Sequence, residues 1–167
     1  MLRVQIDVVG LAGVQEDLSA VRAALQDVRP FWQEVFAPTY FALVQDLFAT
    51  GGRSRGEGGR FSGGAWAALS PRYRAWKDRH VPGKPILERT GALRDSVRWT
   101  GRRLGPGGIF DAQPAFAVIG TRVPYGAAHQ TGTARLPARP FLPTPDPAVF
   151  GPLLKAWLLR TQRRPRV

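Results

Sequence analysis

Between Pro124 and Pro143 the chain reads Pro-Tyr-Gly-Ala-Ala-His-Gln-Thr-Gly-Thr, then Ala-Arg-Leu-Pro-Ala-Arg-Pro-Phe-Leu-Pro, and here the backbone is most constrained. Gly126 and Gly132 permit positive φ or close backbone approach. Pro137, Pro140 and Pro143 set a stiff, extended path that presents Phe141 and Leu142 in fixed directions. Gln130 offers both a donor and an acceptor, which suits a turn or an interface that needs both. With His129 inside it, the stretch can be read as a catalytic loop. It can equally be read as a rigid packing loop that anchors a core, contacts a neighbouring subunit, or does both.

Catalysis needs partners. A general base requires a nucleophile and an orienting carboxylate within hydrogen-bond reach. The acids in the same part of the chain, Glu57, Asp78, Glu88, Asp95, Asp111 and Asp146, are scattered, and none forms a tight motif with His129 or His80. No Gly-x-Ser-x-Gly elbow is present, and the two histidines lack the i, i+4 pairing of a metal site. The reading from residues is therefore no enzyme, no metal and no cofactor, with His129 as a structural hydrogen-bonder holding the backbone through a ring nitrogen.

Cysteine is absent, which excludes disulfides, thiolate chemistry and cysteine-based metal sites. No run of about 18 apolar residues is present to span a bilayer, and Met1–Asp7 has no apolar signal core. The expectation is a soluble protein made in the cytoplasm. At 167 residues and 44% apolar, it suits one domain with a real core. Charge is unevenly spread: residues 1–50 hold 3 basic and 6 acidic side chains, net −3, whereas residues 51–167 hold 21 and 6, net +15. Such asymmetry implies a basic face and an acidic partner, either nucleic acid or an acidic protein surface.

Alternation over Val4–Val8 predicts a half-buried strand. Leu11, Val14, Leu18, Val21, Leu25 and Val28 recur at steps of three and four, the narrow seam of an amphipathic helix that Pro30 stops. A second helix is expected over Phe31–Ala49, kinked or split at Pro38. Residues 51–64 are half glycine and read as a flexible arm that orders on assembly. Ser70-Pro71 opens a short helix through Arg79 with Tyr73, Trp76 and Lys77 along one side, and Thr90-Gly91 opens another carrying Leu93 and Val97. Val97–Arg102 and Phe116–Gly120 look like a hairpin turning over Leu104–Gly108. Asp146-Pro147 opens a last helix, unless Pro152 marks its start, and Arg160, Arg163, Arg164 and Arg166 follow.

The arginines have two readings. Arg53, Arg55 and Arg60 in the arm, Arg102 and Arg103 in the hairpin, and Arg160, Arg163, Arg164 and Arg166 at the tail can meet phosphates or an acidic partner. They can also form a solvated basic surface. No helix-turn-helix, zinc-finger or RNA-binding signature appears, so non-specific DNA contact is the extent of that reading.

Four pieces in order carry a resemblance. They are Trp66-Ala67-Ala68-Leu69-Ser70 with Lys77 downstream; Ile86-Leu87-Glu88-Arg89-Thr90-Gly91-Ala92-Leu93-Arg94-Asp95-Ser96-Val97; Val118-Ile119-Gly120 with Pro124 through Gly132; and Pro137-Ala138-Arg139-Pro140-Phe141-Leu142. Together they resemble the phage virion morphogenesis, or tail-completion, proteins of tailed phages and their prophages. The match covers residues 61–145. The resemblance implies a non-enzymatic virion protein at the head–tail junction, joining a completed tail to the DNA-filled head. It implies a homo-oligomeric ring, often sixfold, that touches a connector or adaptor ring, the tail tube and DNA in the channel, with no membrane. Within such a ring Tyr125, His129, Gln130, Arg139, Phe141 and Leu142 would form the assembly loop. The Gly/Arg-rich arm and the basic tail depart from the family pattern.

The expected fold is α+β: N-terminal helices and a C-terminal helix packed on a small, mostly antiparallel sheet. The expected organisation is a single domain with a lead-in over 1–50, the arm at 51–64, a family-like core over 65–145, and a terminal helix and tail over 146–167. The alternative function is a non-specific DNA-binding accessory protein of phage assembly; a hydrolase using His129 is a third.

Overall fold

The computed structural model describes residues 11–53 and 65–162, with the side chains of 11–17 and 162 left out. The expected strand at Val4–Val8, most of the 51–64 arm, and Arg55, Arg60, Arg163, Arg164 and Arg166 lie outside the described residues. Helix α1 (Leu11–Gln26) leads into a continuous helical path made of α2 (Arg29–Phe31), a π-helical turn (Trp32–Phe36) and α3 (Ala37–Thr50). Then come α4 (Pro71–His80), α5 (Ala92–Ser96), β1 (Gly108–Ala112), β2 (Ala117–Thr121), α6 (Gly126–Thr131) and α7 (Pro147–Gln162). The fold is α+β.

The break expected at Pro38 takes the form of the π turn. Proline has no amide hydrogen and crowds the carbonyl four residues back. The Ala37 N–H reaches back to the Trp32 carbonyl, so the turn before the proline is one residue wider and the helical path stays unbroken.

Helix α3 is the spine of the core. Ala37, Tyr40, Phe41, Val44, Leu47 and Phe48 are all buried, a stripe at helical spacing. The aromatic rings along this helical path, from Phe31 to Phe48, sort the rest of the chain around it. Phe36 meets Phe150 of α7 at 4.8 Å between ring centroids, and Phe31 meets Trp157 at 5.8 Å. Phe41 stacks on Trp99 at 6.0 Å and meets Phe110 of β1 edge-on at 6.1 Å. Phe48 packs on Trp66 at 5.4 Å and on Phe141 at 6.1 Å. Each such ring, fully buried, contributes about 1.5–3 kcal/mol by transfer from water, so this stripe dominates the stability of the body.

Helix α1 packs against α7, and its seam divides. Val21 is half-buried, while Leu18 and Leu25 stay exposed; α1 ends at Gln26, so Val28 is buried beyond it as the residue before α2, and Pro30, expected to stop α1, lies in the first turn of α2. Helix α7 starts at Pro147, with Asp146 Oδ1 accepting from Ala148 N at 2.8 Å, and Pro152 sits inside the helix rather than at its start.

The hairpin forms further along than expected. β1 pairs antiparallel with β2 in the register Gly108↔Thr121, Phe110↔Ile119 and Ala112↔Ala117. The second strand was expected one residue early; the first lies at 108–112 and not at Val97–Arg102. That earlier stretch makes only an isolated bridge, Trp99↔Leu104. The polar run Thr100-Gly101-Arg102-Arg103 reverses the chain inside the expected strand, with Thr100 N donating to Arg103 O at 2.9 Å.

Candidate functional site

The four sequence pieces that carry the resemblance fold into one hydrogen-bonded body. Ser70 opens α4 as expected, its hydroxyl accepting from Tyr73 N at 3.3 Å. Just before it, the Trp66 indole donates to Pro140 O at 2.9 Å. Arg139 reaches back across the chain: Nε donates to Ala67 O at 2.8 Å and Nη2 to Ala68 O at 3.0 Å. Lys77 of α4 donates to the Pro85 carbonyl. The Ser96 and Thr121 hydroxyls share a 2.8 Å hydrogen bond that ties α5 to the end of β2, and Gln45 of α3 donates to the Arg94 and Val97 carbonyls that finish α5.

The stretch expected as a loop around His129 is a short helix, α6. Six residues from Gly126 suffice because the turn is closed by packing. A Cβ at Gly126 would lie 2.8 Å from Thr121 Cγ2 and 3.5 Å from Leu93 Cδ1, so α6 sits directly on β2 and α5. Gly132, at φ 77°, ends it in a conformation costly for other residues.

Gln130, not His129, holds the backbone. Its Oε1 accepts from Phe141 N and from Leu142 N, each at 3.0 Å, and its Nε2 donates to Leu142 O at 2.8 Å. Among the described residues the ring nitrogens of His129 make no hydrogen bond, and Nδ1 is buried without a partner. His129 contributes its carbonyl instead, which accepts from Arg139 N at 2.7 Å. The expectation of a backbone-holding imidazole is thereby corrected: a carboxamide can accept and donate together toward the N–H and carbonyl of a single residue, as a neutral imidazole does only with its nitrogens pointing apart.

Of the residues expected in the assembly loop, Arg139 and Phe141 are turned inward. They are 3% and 1% exposed, so they serve as anchors of this chain's own core. Leu142 is half-buried, Gln130 and His129 are partly buried, and Tyr125 is exposed. The rings of Tyr125 and His129, four residues apart, meet edge-on at 5.9 Å. Arg53, Arg102, Arg103 and Arg160 are exposed and do not gather with this group.

A groove of about 590 Å³ opens between α4, the 87–90 segment, α6 and the 135–139 segment. Leu69, Leu87 and Leu136 give it apolar walls, and Tyr73 and Tyr125 flank them. Lys77 and Arg139 are buried there, and burial pulls both below their ordinary pKa values. Burial, and then the charge on Arg139, also pulls His129 below the usual histidine range. Glu88 is the one acid lining the groove, and it is bound to Arg94 at 2.8 Å. Leu87 has φ 65°, a conformation uncommon for a residue with a side chain.

Among the described residues no hydroxyl or carboxylate hydrogen-bonds to the His129 ring, and no group of three metal-ligating side chains gathers. The arrangement holds chain segments together and presents cations. Sequence reading missed Arg89, Arg135 and Glu88 as groove residues. Their spacing has no period, and only the approach of four distant segments places them together. The chain matches no protein-family profile, no curated protein and no solved structure.

Proposed function

We propose that this chain is a structural, non-enzymatic virion protein that joins a completed tail to the DNA-filled head of a tailed phage. In this reading it acts as a homo-oligomeric ring, sixfold in the simplest case, seated between an adaptor ring and the tail tube at the virion neck. One observation carries the reading beyond the sequence resemblance. The four resembling pieces, spread from residue 66 to 142, converge into one body through Arg139, Trp66 and Gln130, whose side chains hold backbone, and through the Ser96–Thr121 hydroxyl pair. A ring subunit needs such a rigid presenting body, because a closing rotation tolerates little play at each interface.

Electron microscopy of particles made without the protein tests this. Full heads lying beside separate finished tails are the expected outcome, and intact infectious virions would overturn it.

A second reading, a non-specific DNA-binding accessory protein of assembly, is favoured by the exposed Arg53, Arg102, Arg103 and Arg160, which form no ion pair among the described residues. It predicts duplex binding that falls steeply with salt. No binding at low salt removes it.

A further inference from the structure

The groove between α4 and α6 has an unusual electrostatic floor. Arg139 is 3% exposed and Lys77 4% exposed. A buried cation is stable in place only when its donors and its charge are both met. Two of the nitrogens of Arg139 are met inside the protein, Nε by the Ala67 carbonyl and Nη2 by the Ala68 carbonyl. Carbonyls satisfy hydrogen bonds without cancelling charge. Arg139 has no carboxylate partner among the described residues, and neither do Arg89 and Arg135, which are exposed and line the same groove. Arg89 instead lies over the Trp76 ring at 5.3 Å. Glu88 is bound to Arg94, and its charge, with that of Asp78, also acts on Lys77, so Arg139, Arg135 and Arg89 are the groove cations left without an acid among the described residues.

We propose that this groove is a docking site for an acidic peptide segment of a partner protein, with carboxylates meeting the Arg139, Lys77, Arg135 and Arg89 cations while the apolar side chains between them lie against Leu69, Leu87 and Leu136. Charge complementarity selects an anion, since four cations line the groove against one paired acid. The walls select a peptide over a nucleic acid. A duplex phosphate is held on a rigid backbone and reaches exposed cations, whereas Lys77 and Arg139 sit buried among leucine side chains, where a flexible carboxylate side chain can follow. His129 adds to the fit: its buried Nδ1 has no partner, and an arriving carboxylate would favour the protonated ring beside it. The site stands whether or not the chain acts at a virion neck, so its failure and the failure of that reading are separate results.

The test is fluorescence anisotropy on the full-length protein at low salt. The probe is a fluorescein-labelled hexapeptide of alternating leucine and glutamate; its leucine–glutamine counterpart is the control. The acidic peptide is expected to bind at least about tenfold more tightly than the amide peptide. Arg135→Ala and Arg89→Ala, both at exposed positions where folding is preserved, are each expected to weaken it about threefold or more. Arg102→Ala and Arg103→Ala, exposed outside the groove, are expected to leave it unchanged. Equal affinity for the two peptides would overturn the proposal. So would an equal loss in the Arg102 and Arg103 variants, which would show attraction to net charge alone. Displacement of the bound peptide by an oligothymidylate would assign the cations to phosphate. A change in oligomeric state on gel filtration for Arg135→Ala, with no peptide binding by the parent protein, would assign the groove to a second copy of this chain.

Discussion

The side-chain amide of Gln130 closes on the backbone of Leu142 from both directions, accepting from its N–H at 3.0 Å and donating to its carbonyl at 2.8 Å. Its Oε1 also accepts from the adjacent Phe141 N–H at 3.0 Å, so the amide clasps a bend in which two successive N–H groups face one oxygen. The clasp holds the proline-framed segment 137–143, which bends at Phe141 and Leu142, against α6. Tyr40 finishes the attachment, its hydroxyl donating to Pro143 O at 2.7 Å.

Gln130→Ala should cost about 2–4 kcal/mol in urea unfolding, because two amides and one carbonyl lose partners in a part-buried setting. Gln130→Glu separates the roles. The carboxylate still accepts from both amides but faces the Leu142 carbonyl with a lone pair. Protonation supplies the missing donor, so the folded-state pKa of the introduced group is raised. Its contribution is then present below the unfolded value of about 4.3 and is lost as pH rises. This variant should approach wild-type stability near pH 4 and fall furthest behind at pH 7. An equal deficit at both values would show that Gln130 acts by shape alone.

Tyr40→Phe keeps the stacked ring beside Phe36 and removes the hydroxyl that meets Pro143. A loss of about 1–2 kcal/mol is expected, since a buried carbonyl is left with one partner fewer. Thermal melts of the two proteins measure it; identical midpoints would mean that water replaces the hydroxyl.

Gly126→Ala should destabilise by about 1–3 kcal/mol. The new Cβ would press on the methyl of Thr121 at 2.8 Å, and that residue's hydroxyl is held by Ser96. Ala127→Gly, at an exposed neighbouring position, should cost no more than about 1 kcal/mol. If the order were reversed, close packing of α6 on β2 would not be what places it.

His129 predicts a pH slope. Its folded pKa lies below the ordinary 6.5, through burial and then the Arg139 charge. The unfolded chain therefore binds the proton more readily, and stability falls as pH drops from neutral through that ordinary value. The urea midpoint should decline between pH 7.5 and 5.5, and His129→Gln should flatten the decline. Parallel profiles for the two proteins would contradict this. The low carboxyl pKa of Asp27, about 2 through its hydrogen bonds and charge contact with Arg29, acts outside that window.

Much of the fold was legible along the chain because its signals are local. The Ser70-Pro71 start of α4 and the Asp146-Pro147 start of α7 depend on backbone chemistry within a few residues, whereas the stop expected at Pro30 is misplaced: α1 ends at Gln26 and Pro30 sits in the first turn of α2. The stripe of α3 was visible from its period, and Pro38 announced a disturbance, which takes the form of a π turn closed by the Ala37 N–H on the Trp32 carbonyl. The first β-strand was misplaced because alternation at Val97–Arg102 and at Gly108–Ala112 is equally weak, and pairing with β2 chooses between them.

The sequence by itself determined an α+β chain with a stiff, proline-framed segment, a strongly basic majority and no cysteine chemistry. Composition, helix caps and hydrophobic period act over short distances, and they are sufficient for that. Only the tertiary structure decided what the polar residues of the segment do. Gln130 takes the backbone role expected of His129, and Arg139 is buried against carbonyls 71 and 72 residues away. Phe141 points into the core, and Lys77, Arg89, Arg135 and Arg139 come to line one groove. A hydrogen bond or a buried charge is defined by which distant groups arrive beside it, and no spacing along the chain encodes that arrival.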